Sequence, residues 1–176
     1  EWVKYIKNSI AQVAPHFTMK RQLDDYYSKF YCKQAERYHR LIANDSKVVR
    51  ELAKWKEEVA AKWNAVEVLS VEGDTNFLNG AMSAADKYNV TVKVDEKGLD
   101  NAVAIELVVL APDAKGNDQV FMTYPLEVVK REGNIFTFAA EIAPTNAGAF
   151  KIAFRMYPNH EELPHRMDFA YVKWFA

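Results

Sequence analysis

Apolar residues recur every three or four positions through the first third of the chain and every second position thereafter; the change falls near residue 64. Trp2, Ile6, Ile10 and Val13 form a first stripe. Leu23, Tyr26/Tyr27, Phe30, Tyr38, Leu41 and Ile42 form a second, and Val48, Leu52, Trp55, Val59 and Trp63 a third. Steps of three and four place each set on one face of a helix. Pro15 breaks the first helix because its ring excludes a helical N–H, and Thr18 suits the N-cap of the next. Asn44-Asp45-Ser46 supplies both a turn and an N-cap for the third. Three helices are therefore expected over residues 1–64.

Alternation takes over beyond residue 64. Val90, Val92 and Val94 interleave with Asn89, Thr91, Lys93 and Asp95. Val103–Val109, Phe136–Ile142 and Phe150–Met156 repeat the pattern, and weaker strands are expected at Val66–Val71, Leu126–Lys130 and Phe169–Trp174. Lys97-Gly98, Lys115-Gly116-Asn117, Glu132-Gly133-Asn134 and Asn146-Ala147-Gly148 separate them as turns. About seven short strands without intervening helices predict an antiparallel immunoglobulin-like sandwich over 65–176. The Cys…Trp…Cys signature of true immunoglobulin domains is missing, so the expectation concerns architecture only. The fold class is α+β: a helical segment, 1–64, then a β-sandwich domain, 65–176.

Composition narrows the chemistry. A net charge of −1 argues against a nucleic-acid binder, which needs a basic patch. No apolar run approaches the roughly 18–20 residues of a membrane-spanning helix. The single cysteine, Cys32, excludes an internal disulfide. The chain opens at Glu1 without Met, inside an amphipathic stretch, which points to a piece of a longer polypeptide. His160 and His165 are five apart with Pro164 before the second; a zinc-binding helix needs them four apart, so a loop is expected and no metal site. His16 and His39 have no ligand partners nearby, and nothing in the sequence supplies Cys32 with a base. Asp24-Asp25 and Glu57-Glu58 read as solvated helix faces. The six glycines are scattered, so no phosphate-binding loop is expected. No catalytic, cofactor-binding or metal-binding residue is assigned.

Aromatics make up 13% of the chain, which raises the question of sugar stacking. Trp2, Trp55 and Trp63 fall on apolar stripes and are expected to be buried. Tyr157, Tyr171 and Trp174 are not so committed and are the candidate sugar-ring contacts. The competing expectation has Trp174 capping the sandwich core from the last strand.

Ser9-Ile10-Ala11, Phe17, Arg21, Leu23 and Tyr26 or Tyr27 resemble the segment that closes the cofactor-binding domain of α-glucan (glycogen/starch) phosphorylases. Trp55-Lys56 and Lys62-Trp63 resemble a linking helix of the bacterial short-type members. Gly148-Ala149-Phe150, Arg155-Met156-Tyr157-Pro158-Asn159-His160, Leu163-Pro164 and Phe169-Ala170-Tyr171-Val172-Lys173-Trp174 resemble their β-rich tail. The resemblance implies a C-terminal fragment of a cytoplasmic enzyme that transfers glucosyl units from α-1,4-glucan to phosphate. It implies pyridoxal phosphate in the parent, held by an upstream lysine, and no cofactor in this fragment. It implies packing roles for Phe17 and Arg21. The expected partners are the remaining catalytic body, an α-glucan, or a second copy through the N-terminal helix. The alternatives are a stand-alone carbohydrate-binding or protein-interaction sandwich and, more weakly, an independent small enzyme.

Overall fold

The computed structural model describes residues 1–74, 86–145 and 150–175. The chain divides into two compact units, Glu1–Ala53 and Lys54–Ala176. The expected turn at Asn146-Ala147-Gly148 and the Gly148-Ala149 pair lie outside the described residues.

The first unit is helical, but not as discrete helices joined by loops. It runs through α1 (Trp2–Asn8), a π-helical turn (Ser9–Val13), a 3-10 turn (Ala14–Phe17), α2 (Met19–Tyr26) and a second π-helical turn (Tyr27–Tyr31), and then enters α3 (Cys32–Lys62). Pro15 lies in the first positions of the 3-10 turn, where a missing N–H costs nothing, so it tightens the helix instead of ending it in a loop. The break comes at Thr18, which is extended and accepts a hydrogen bond from Arg21 N at 3.2 Å. The turn expected at Asn44, Asp45 and Ser46 is present as a break in helical geometry between two stretches of α3. The three are left-handed residues at this kink, a conformation that Asn and Asp tolerate better than most residues. Asp24 and Asp25 pair with Lys20 and Arg21 at 2.6 Å, and Asp25 also with Lys29 at 3.1 Å, all one turn apart. They are the solvated face expected of them.

The second unit is an antiparallel sheet of seven strands: β1 (Glu67–Gly73), β2 (Tyr88–Asp95), β3 (Val103–Pro112), β4 (Asp118–Glu132), β5 (Ile135–Ile142), β6 (Lys151–Pro158) and β7 (Lys173–Phe175). Their order is β1-β2-β5-β4-β3-β6-β7. Hydrogen bonding runs through all seven because β4 is long enough to serve both halves. Its Asp118–Leu126 part pairs with β3 and its Glu127–Glu132 part with β5. Pro125 and a bulge between Val128 and Lys130 lie at the changeover, where the ladder is interrupted anyway. Gly133, at φ +64°, makes the tight turn into β5.

Alternation then decides burial. Val90, Val92 and Val94 from β2, Ile105 and Leu107 from β3, Phe136 and Phe138 from β5, and Phe154 and Met156 from β6 point into one core, each at most 2% exposed. Val59 and Trp63, from the last turns of α3 and the 3-10 turn after it (Trp63–Ala65), close that core, with Trp55 packed beside them. The stripe read from their spacing is therefore the buried face of that segment.

One buried carboxylate organises the β2–β3 connection. Glu96 is fully buried; its Oε2 accepts from Asn101 N at 2.7 Å and Ala102 N at 3.1 Å, while Oε1 has no partner among the described residues. Burial raises its pKa above the ordinary 4.5, against the backbone donors that favour the charge. A carboxyl that holds its proton more tightly folded than unfolded stabilises the fold below pH 4.5 and loses that contribution as pH rises through the folded value. Glu96→Gln should therefore gain stability relative to wild type as pH rises from 4 to 7. Urea unfolding of both proteins across that range checks this, and a pH-independent difference contradicts it.

Candidate functional site

β6 and the loop after it hold the candidate aromatics. Inward residues of β6 fill the core, so its outward residues, Arg155 and Tyr157 among them, face away from it. Register sets Arg155 between Glu106 of β3 and Trp174 of β7. Glu106 is 5% exposed, the one acid in the apolar run of β3. A buried carboxylate needs compensating charge. Two guanidinium groups supply it on the same oxygen: Arg155 Nε, and Arg166 Nη1 at 2.8 Å. Each guanidinium also lies over a ring, Arg155 over Trp174 and Arg166 over Tyr157, both at 5.4 Å from the ring centre. Arg166 is brought in by a 3-10 turn (Arg166–Phe169), which His165 caps by accepting from Met167 N at 3.1 Å.

Tyr157 and Trp174 thus meet through the Arg155–Glu106–Arg166 cluster. Trp174 does not cap the core: its indole is 52% exposed on the outer side of β7. The reason is register, since Lys173 and Phe175 take the inward positions on either side of it. Tyr171 is elsewhere, in a ring cluster with Trp63 at 5.9 Å and Phe169 at 4.9 Å; Phe169 in turn meets Trp55, and Trp55 meets His160. His160 Nδ1 accepts from Glu162 N at 3.1 Å. Both histidines of the loop therefore serve its structure, and among the described residues no three His, Cys, Asp or Glu side chains could hold a metal ion.

A groove of about 400 Å³ runs between the Asn64–Val68 segment and Lys173–Phe175, with Met156 in its wall. It separates the two edge strands of the sheet, β1 and β7. Lys173 bridges one end: its ammonium donates to Asn64 O at 3.2 Å and Val66 O at 2.9 Å, so the last strand is tied to the exit of the helix. Burial lowers the Lys173 pKa, as a Schiff-base lysine would require. Its nitrogen is nevertheless taken up by two carbonyls, and among the described residues no glycine-rich phosphate cradle adjoins it. These residues do not fit pyridoxal phosphate. The groove offers instead an indole, the Glu67 carboxylate and strand-edge backbone groups, a surface suited to hydroxyls and apolar ring faces.

Sequence reasoning singled out Tyr157 and Trp174, whose rings flank the cluster, and passed over the roles of Glu106, Arg155 and Arg166. A signal was present: Glu106 interrupts an otherwise apolar strand, and a charge in such a place calls for a partner.

Residues 63–176 match the family described as glycogen phosphorylase C-terminal domain. Maltodextrin phosphorylase of Thermococcus litoralis is 27% identical over 183 aligned positions, covering 98% of this chain and 20% of that protein. The chain therefore spans about a fifth of the length of that curated relative. No solved structure gives a significant match. Among the described residues no helix is long and apolar enough to cross a membrane. With the family matched over most of the chain and the aligned relative itself a phosphorylase, the chain belongs to the glycogen phosphorylase C-terminal domain family.

Proposed function

We propose that this chain is the non-catalytic C-terminal region of a cytoplasmic α-glucan phosphorylase. Its parent would transfer glucosyl units from α-1,4-glucan to phosphate, giving glucose 1-phosphate, with pyridoxal phosphate bound upstream of Glu1. The observation that carries the reading is the alignment of nearly the whole chain to a fifth of a maltodextrin phosphorylase, together with the family match. Strand order supports the immunoglobulin-like reading of the second unit, since β1-β2-β5-β4 and β3-β6-β7 follow the order of a seven-stranded immunoglobulin sandwich.

The role is docking and support. Trp2, Ile6, Ile10, Val13 and Phe17 of the first unit are each 43% or more exposed, and an apolar surface of that kind marks an interaction site. The catalytic body of the parent is the partner proposed for it. The glucan reading keeps Tyr157, Tyr171 and Trp174; Tyr171 stays 38% exposed beside its ring cluster. The expected result for the purified chain is no glucose 1-phosphate from maltooligosaccharide and phosphate, and no Schiff-base absorbance with added pyridoxal phosphate. The upstream reading frame, co-expressed, should recover both and bind the chain. Phosphorolysis by the chain alone, or an upstream frame that neither binds it nor carries the reaction, would sink the proposal.

A further inference from the structure

We propose that the Arg155–Glu106–Arg166 cluster is a binding site for a phosphate group, free or carried on a sugar. Two guanidiniums carry ten N–H groups. The carboxylate of Glu106 takes one from each, both on the same oxygen. The two donor nitrogens are then within about 6 Å of one another, a span that one tetrahedral oxyanion can bridge. The cluster holds two positive charges against one negative, so it keeps an excess of one. Each guanidinium also lies over a ring, Trp174 or Tyr157, a contact that favours its present position before any ligand arrives. Arg166 keeps 41% of its side chain in solvent, while Arg155 keeps 17% and is the more firmly placed of the two. A clamp whose only task was to neutralise Glu106 would need a single arginine. The second, delivered by a loop some 60 residues further along the chain, is the added element.

The aromatics define the rim. A phosphate carried on a sugar would place an apolar ring face within reach of the exposed indole of Trp174. Free phosphate would use the guanidiniums alone. One set of titrations separates the two. The 176-residue chain is titrated with inorganic phosphate, glucose 1-phosphate and maltoheptaose at constant ionic strength, following the Arg Nε–H signals by NMR and tryptophan fluorescence. Phosphate and glucose 1-phosphate should both saturate the Arg155 signal. If the sugar ester alone also changes Trp174 fluorescence, the sugar participates. A response to maltoheptaose that spares the arginine signals belongs to the glucan reading and leaves this proposal to stand or fall on the phosphate arms.

Variants give the decisive comparison. Arg166→Gln should weaken phosphate about tenfold, because it removes charge-assisted donors while Arg155 still compensates Glu106. Glu106→Gln should tighten it several-fold, because it removes a like charge from beside the anion. A purely structural clamp predicts neither change. Absence of saturable phosphate binding at 20 mM in the folded chain overturns the proposal, as does binding that Arg166→Gln and Glu106→Gln both leave unaltered.

Discussion

Phe138→Ala will cost the second unit about 3–5 kcal/mol, the loss expected for emptying a fully buried aromatic site. Phe138 is 1% exposed and belongs to β5, which pairs with β2 on one side and β4 on the other. Its ring stands at the middle of the core, opposite Val92 in register, and has no solvent into which the surroundings can relax. Val128, its neighbour in register on β4, is 42% exposed and is the control; Val128→Ala should stay within about 0.5 kcal/mol of wild type. Urea unfolding followed by tryptophan emission measures both. A loss below about 1.5 kcal/mol for Phe138→Ala would mean that the core collapses around the cavity and is looser than this packing implies.

The second large effect belongs to the charged cluster. Arg155→Met with Arg166→Met leaves Glu106 buried without a counter-charge, and removal of the partners of a buried charge costs about 3–5 kcal/mol. Arg166 is the more exposed of the two, so most of the loss should follow Arg155. Adding Glu106→Leu to the pair should recover most of the loss, because an apolar residue suits the site once the charge is gone. Equilibrium unfolding of the single, double and triple variants gives the cycle. A double variant within about 1 kcal/mol of wild type would show that Glu106 reaches water and that the arginines are not what holds it.

The elements that bury one face were legible. Alternation at Val90, Val92 and Val94, and at Phe136, Phe138 and Ile142, placed β2 and β5 because those side chains are the core. Trp55, Val59 and Trp63 were read correctly from the same logic at helical spacing. β4 was half missed. Only its Leu126–Lys130 part was expected, since residues 118–121 are exposed and show no period, and Pro125 argues against a strand. Pro125 is tolerated because each part of β4 pairs on one side only. The stripe Trp2, Ile6 and Ile10 shows the opposite limit. Spacing establishes that those residues share a face, but not what covers it, and in this chain they stand exposed. Trp174 was placed by register, which a sequence pattern of three residues is too short to fix. The Arg155–Glu106–Arg166 cluster joins residues 49 and 60 positions apart, a distance at which local patterns carry no information.

The shared strand β4 joins the two halves of the second unit through backbone. Two sheets held only by side-chain packing can slide or part along their interface. Here a covalent backbone crosses from one half to the other in mid-strand, and its hydrogen bonds are divided between them. A pull delivered along the helix at Trp63 is passed through the Lys173 tie to β7 at one margin and through β1 to the other, so load enters both halves at once. Such a body is expected to unfold in one transition, with no intermediate in which one half has opened alone.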